Sequence, residues 1–75
     1  EAYQQIVSNF RACEPSPGVV ACGFKFGSLI HIGTVELIDG KLEILHTSRR
    51  KGPSIDSITD FKRLFKEVKF YEYVG

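Results

Sequence analysis

Two histidines, His31 and His46, are the residues whose type and spacing point most directly to chemistry. Each lies in a β-rich run, and the runs meet at Asp39-Gly40, the dipeptide that best tolerates the positive φ angles of a type I′ turn. With Asp39 and Gly40 as the two loop residues, Ile38 pairs with Lys41, Leu37 with Leu42, Val35 with Ile44, Gly33 with His46 and His31 with Ser48. Opposed residues share a face of the hairpin. That face carries His31, Gly33, Val35 and Leu37 from one strand and Leu42, Ile44, His46 and Ser48 from the other. His31 and His46 become diagonal neighbours with backbones roughly 7–8 Å apart, a gap two imidazole rings span directly or through water, and Gly33 leaves ring space. An imidazole beside a second imidazole can act as a base while the second fixes its tautomer. The plainer alternative is two half-exposed strand residues with no joint role. The register also opposes Glu36 to Glu43, a mildly destabilising like-charge pair.

A base of this kind needs a nucleophile. Cys13 and Cys22 are the two cysteines of the chain; they can close a short disulfide loop in an oxidising compartment or remain free, partly buried thiols. Two histidines without an evident third ligand fall short of a zinc set, and no cofactor is expected. The basic triplet Arg49-Arg50-Lys51 lacks a stacking platform and reads as a solvated loop, and Phe70, Tyr71 and Tyr73 read as packing residues. Ten Lys and Arg against nine Asp and Glu leave a formal charge of +1, which gives no electrostatic footprint for nucleic acid or an anionic membrane. No apolar run approaches the ~20 residues of a membrane span, and no signal peptide opens the chain.

The elements that must position the histidines fit a single small domain over residues 1–75. Tyr3, Ile6, Val7 and Phe10 recur at helical spacing, and Pro15 and Pro17 stop that helix. Residues 19–24 form a short apolar run bounded by glycine, a buried strand, and residues 25–28 a loop. After the hairpin, residues 49–53 are a basic, breaker-rich loop. A second helix is expected to start near Ser57 or Thr59, with Phe61, Leu64, Phe65 and Val68 at helical spacing, before an aromatic-rich strand over 69–74. The composition is that of a globular protein, 43% hydrophobic and 25% charged, and the order of elements predicts an α+β fold: a small antiparallel sheet with a central hairpin and helices packed on one side. A chain this short buries roughly 60% of its unfolded surface, so a protein partner or a preceding segment is expected to support it. Glu1 in place of an initiating Met points to a processed product, a fragment or a renumbered stretch.

In order along the chain, Pro17-Gly18-Val19-Val20, His31-Ile32-Gly33, Asp39-Gly40-Lys41, Ile44-Leu45-His46-Thr47-Ser48 and Ile55-Asp56-Ser57-Ile58 resemble the second half of an NlpC-type cysteine peptidase, a papain-like family. The closing Phe70-Tyr71-Glu72-Tyr73-Val74-Gly75 is similar to phage tail-associated members. The resemblance implies the sheet half of a papain-like fold, with His31 as general base and His46 as the group orienting it. It also implies peptidoglycan or phage tail proteins as partners, and a virion or cell-envelope location. The sequence departs from the family at Val19, where an aspartate is usual, and in a somewhat longer hairpin. The family's nucleophile is a cysteine at the start of an upstream helix. Cys13 follows a predicted helix, where N–H groups do not face it, and Cys22 lies in a strand close in sequence to His31; of the two, Cys22 is the one kept as a candidate. Two functions follow: a non-catalytic structural or binding module, or the base-carrying half of a peptidoglycan endopeptidase or amidase whose cysteine lies on another segment.

Overall fold

Asp39 and Gly40 both adopt positive φ, 52° and 79°, so the central turn has the conformation that the dipeptide favours. In the computed structural model, which describes residues 9–75, this turn joins β3 (Ser28–Ile38) to β4 (Lys41–Ser48). The pairing runs Ile38 with Lys41, Leu37 with Leu42, Val35 with Ile44 and Gly33 with His46. Glu36 and Glu43 face each other as the register requires, and both are half-buried. A second tight turn, at Phe26 and Gly27 with φ of 53° and 78°, joins β2 (Val20–Lys25) to β3 in a second hairpin. Its register shifts between Gly23 and Phe24, where Gly23 pairs with His31 and Phe24 with Leu29.

Three further strands complete one antiparallel sheet. These are β1 (Phe10–Ala12), β5 (Gly52–Ser57) and β6 (Glu67–Tyr73), and the spatial order is β1-β6-β2-β3-β4-β5. Between β5 and β6 lies α1 (Ile58–Leu64), capped by the Ser57 hydroxyl, which accepts the Asp60 N–H at 3.1 Å. The helix ends where Phe65 turns extended, with φ −131°.

The α+β expectation, with helices packed on one side, is corrected by this architecture. Strands account for 61% of the described residues, and α1, seven residues long, is the one helix among them. Two segments explain the difference. Gly52-Pro53 reads as a breaker, yet it opens β5, because β5 is an edge strand where a proline without an N–H is tolerated. Phe10, placed at the end of a helical repeat, starts β1 and pairs with Tyr73. The helix expected on Tyr3, Ile6 and Val7 lies outside the described residues. No helix among them is long and apolar enough to cross a membrane.

The core lies on one face of the sheet. Val19, Ala21, Val35, Ile44 and Phe70 are buried there against Phe61 of α1, with Cys13, Leu42, Ile58, Phe65 and Val68 packed around them. On the opposite face Ile30, Ile32, Leu45 and Ile55 stay substantially exposed. Gly33 of β3 sits opposite His46 of β4 with no room for a side chain: a Cβ there would lie 2.7 Å from Ile44 Cγ2, 3.0 Å from the Leu45 carbonyl oxygen and 3.2 Å from His46 Cβ. Backbone cannot yield as a flexible side chain can. Gly33→Ala is therefore expected to lower the unfolding free energy by about 1–3 kcal/mol, the usual cost of overpacking, measured by urea denaturation followed by circular dichroism.

Candidate active site: a histidine pair anchored by a carboxylate

The core face that buries Val35 and Ile44 also carries His31, four residues before Val35 on β3, and His46, two residues after Ile44 on β4. Their side chains meet directly. His31 Nε2 lies 2.8 Å from His46 Nδ1, with the rings nearly perpendicular at 87° and 4.9 Å between centroids. The other nitrogen of His46, Nε2, lies 2.6 Å from Asp56 Oδ2. Asp56 comes from β5, where it pairs with Ile44 and so shares the face and reaches diagonally to His46. The result is a chain of three side chains on three adjacent strands, with the imidazole side chain of His46 in the middle and only 4% exposed.

Aromatic rings close the other sides. Phe65 stacks on His31 with centroids 5.4 Å apart and an interplanar angle of 20°. Phe61 stands edge-on to His46 at 5.2 Å and tilted to His31 at 6.1 Å. Phe65 can occupy this place because its β2 neighbour is glycine: a Cβ on Gly23 would lie 2.7 Å from the Phe65 ring. Partial burial under these rings lowers the pKa of His31 below its ordinary 6.5, and the electrostatic influence of the adjacent His46 lowers it further.

Neither cysteine joins this group. Cys22 pairs with Ile32 on one side and Lys69 on the other, one residue out of step with His31, so its thiol lies on the opposite face of the sheet. Its burial also raises its pKa, away from the thiolate. Cys13 is on the core side, where its N–H donates to the Phe70 carbonyl at 2.9 Å. From there the row passes through Phe70 and Ala21 to Gly33, three strand spacings or roughly 14 Å. Its pKa too is raised, by desolvation and then by Glu72. Both cysteines are free thiols. Among the described residues no thiol or hydroxyl hydrogen-bonds either histidine, and no cluster of three or more His, Cys, Asp or Glu side chains has the geometry of a metal site. The Arg49-Arg50-Lys51 triplet forms an exposed turn between β4 and β5.

Sequence spacing brought the two histidines to one face but missed Asp56 as a member of the site. The available signal was the phrase Ile55-Asp56-Ser57, whose alternation has a strand period; reading it required setting aside Gly52-Pro53 as a breaker. No protein-family model, curated protein or solved structure matches this chain. The side-chain arrangement itself therefore carries the functional argument.

The lowered pKa of His31 sets a pH dependence of stability. Between the folded value and the ordinary 6.5, the unfolded chain binds the proton more readily than the folded one, so stability rises with pH through that window and is fully present above it. Urea unfolding at about pH 7.5 and about pH 5 is expected to show a lower midpoint at the acid value. His31→Gln, which keeps a polar side chain without the titration, is expected to reduce that drop.

Proposed function

We propose that this chain supplies the general-base half of a thiol-dependent peptidase or amidase acting on cell-wall peptides, as the NlpC-type resemblance implies. The observation that supports it is the 2.8 Å contact between His31 and His46 on the core face. Such a contact gives His31 a fixed partner on one nitrogen and leaves the other for a reacting group. In this reading His31 takes the proton of a thiol, the sulfur retains the electron pair and attacks the amide carbonyl, and the same proton then passes to the leaving amine. His46 holds the ring of His31 in place throughout. The thiol comes from polypeptide outside residues 1–75, because Cys22 faces away and Cys13 is about three strands distant.

A second reading, a non-catalytic structural or binding module of the same resemblance, such as a phage tail component, draws on different observations. Phe65 covers one side of His31, and four large aliphatic side chains stand exposed on the far face of the sheet.

One experiment separates the two. The native protein, isolated from its source, is weighed intact, treated with a thiol-reactive probe, and assayed for release of amines from a peptidoglycan stem peptide. The catalytic reading expects one fast-labelling cysteine besides Cys13 and Cys22, together with hydrolysis that falls by about 10²-fold or more in His31→Ala, the range of general-base contributions. A native mass equal to these 75 residues, with both cysteines slow to label and no hydrolysis, would sink catalysis and leave the binding module.

A further inference from the structure

The order of partners in the three-residue chain constrains where its protons sit. A carboxylate only accepts hydrogen bonds, so at 2.6 Å from Asp56 Oδ2 the nitrogen His46 Nε2 must carry the hydrogen. A neutral imidazole has one N–H, which leaves His46 Nδ1 with a lone pair. The hydrogen in the 2.8 Å contact must then belong to His31 Nε2. His31, neutral in turn, is left with an unprotonated Nδ1, and among the described residues nothing hydrogen-bonds that atom. Each step follows from the one before, and the first is set by Asp56.

We infer that Asp56 is a positioning residue which, through His46, locks His31 in the Nε2–H tautomer and makes His31 Nδ1 the atom that accepts the proton. This deepens the proposed function and rests on His31 being its base. Asp56 contacts His46 and acts on His31 only through it. Its effect is relayed across β4, and it fixes both ring orientations and the direction of both hydrogen bonds. When His31 takes a proton at Nδ1, an N–H bond forms there as the S–H bond breaks, and the Nε2–H of His31 continues to donate to His46. No hydrogen bond has to reverse as the charge appears.

The alternative arrangement is a doubly protonated His46 that donates to both neighbours. His31 would then accept at Nε2 and carry its own hydrogen on Nδ1, which is useless for a base acting there.

The tautomers are read directly by ring ¹⁵N–¹H correlation spectra of the full 75-residue chain, labelled at histidine, at about pH 8, above the ordinary histidine range. No nucleophile or substrate is needed. The expected result is an Nε2–H pattern for both His31 and His46, with the Nδ1 resonance of His31 in the unprotonated range. In Asp56→Ala the constraint is gone, and both rings are expected to show a mixture of tautomers. In Asp56→Asn the amide can present either its oxygen or its NH₂ to His46, so a mixture is expected again while the shape of the side chain is preserved. Backbone amide spectra establish that each variant is folded, and the asparagine variant serves if the alanine variant is not. An Nδ1–H pattern for His31 in the unmodified chain would overturn the inference, as would tautomers unchanged in a folded Asp56 variant. Either outcome leaves the hydrolysis test of the proposed function standing, and failure of that test leaves the tautomer result standing.

Discussion

The register of the β3–β4 hairpin is the constraint on which the rest depends. Two consecutive residues with positive φ, Asp39 and Gly40, close the chain in a two-residue loop whose twist matches that of the strands. A slip of one residue in β4 would send Ile44 and His46 to the far face and bring Leu45 into the core. The buried Val35–Ile44 pair and the His31–His46 contact are therefore held by the same register. Apolar packing near the turn and hydrogen bonding away from it reinforce each other: burial of Ile44 and Phe61 makes a slip costly, and the histidine chain occupies the polar end of the same surface. The unfavourable Glu36–Glu43 opposition is tolerated inside this arrangement.

How much of this was legible in the sequence depended on how local the determining signal was. The hairpin and its pairing followed from a dipeptide and an alternation of period two, both contained within 20 residues or so. The β2 strand followed from an unbroken apolar run, which matches its place between β3 and β6 with both sides paired. By contrast β5 has one large apolar residue, Ile55, in the stretch Gly-Pro-Ser-Ile-Asp-Ser, and it is a strand because β4 offers it an open edge. Nothing local says so. The three residues of β1 are likewise strand because β6 lies beside them, more than 60 positions away in sequence for Phe10 and Tyr73.

The site shares that division. His31 and His46 were placed on one face by the hairpin alone, whereas Asp56 enters only when β5 pairs with β4 in the register that sets it opposite Ile44. The face of Cys22 was equally out of reach, because it depends on the pairing of Cys22 with Ile32 across a hairpin whose turn, at Phe26 and Gly27, resembled an ordinary loop. Phe65 was expected inside a helix; its place over His31 comes from the helix ending at Leu64 and from the absence of a side chain at Gly23.

The two rims of the sheet restrict how another polypeptide can meet this chain. Among the described residues one rim is β1, three residues long and bearing the Arg11–Glu72 ion pair at 2.8 Å; the other is β5, where Pro53 offers no N–H. Short strands, charge and proline are the devices that keep sheet edges from templating aggregation. They equally deny an incoming segment a long ladder of main-chain hydrogen bonds. A rim built in this way disfavours strand addition, which accepts many sequences, and leaves the faces and strand ends of the sheet as the surfaces where shape and side-chain chemistry discriminate.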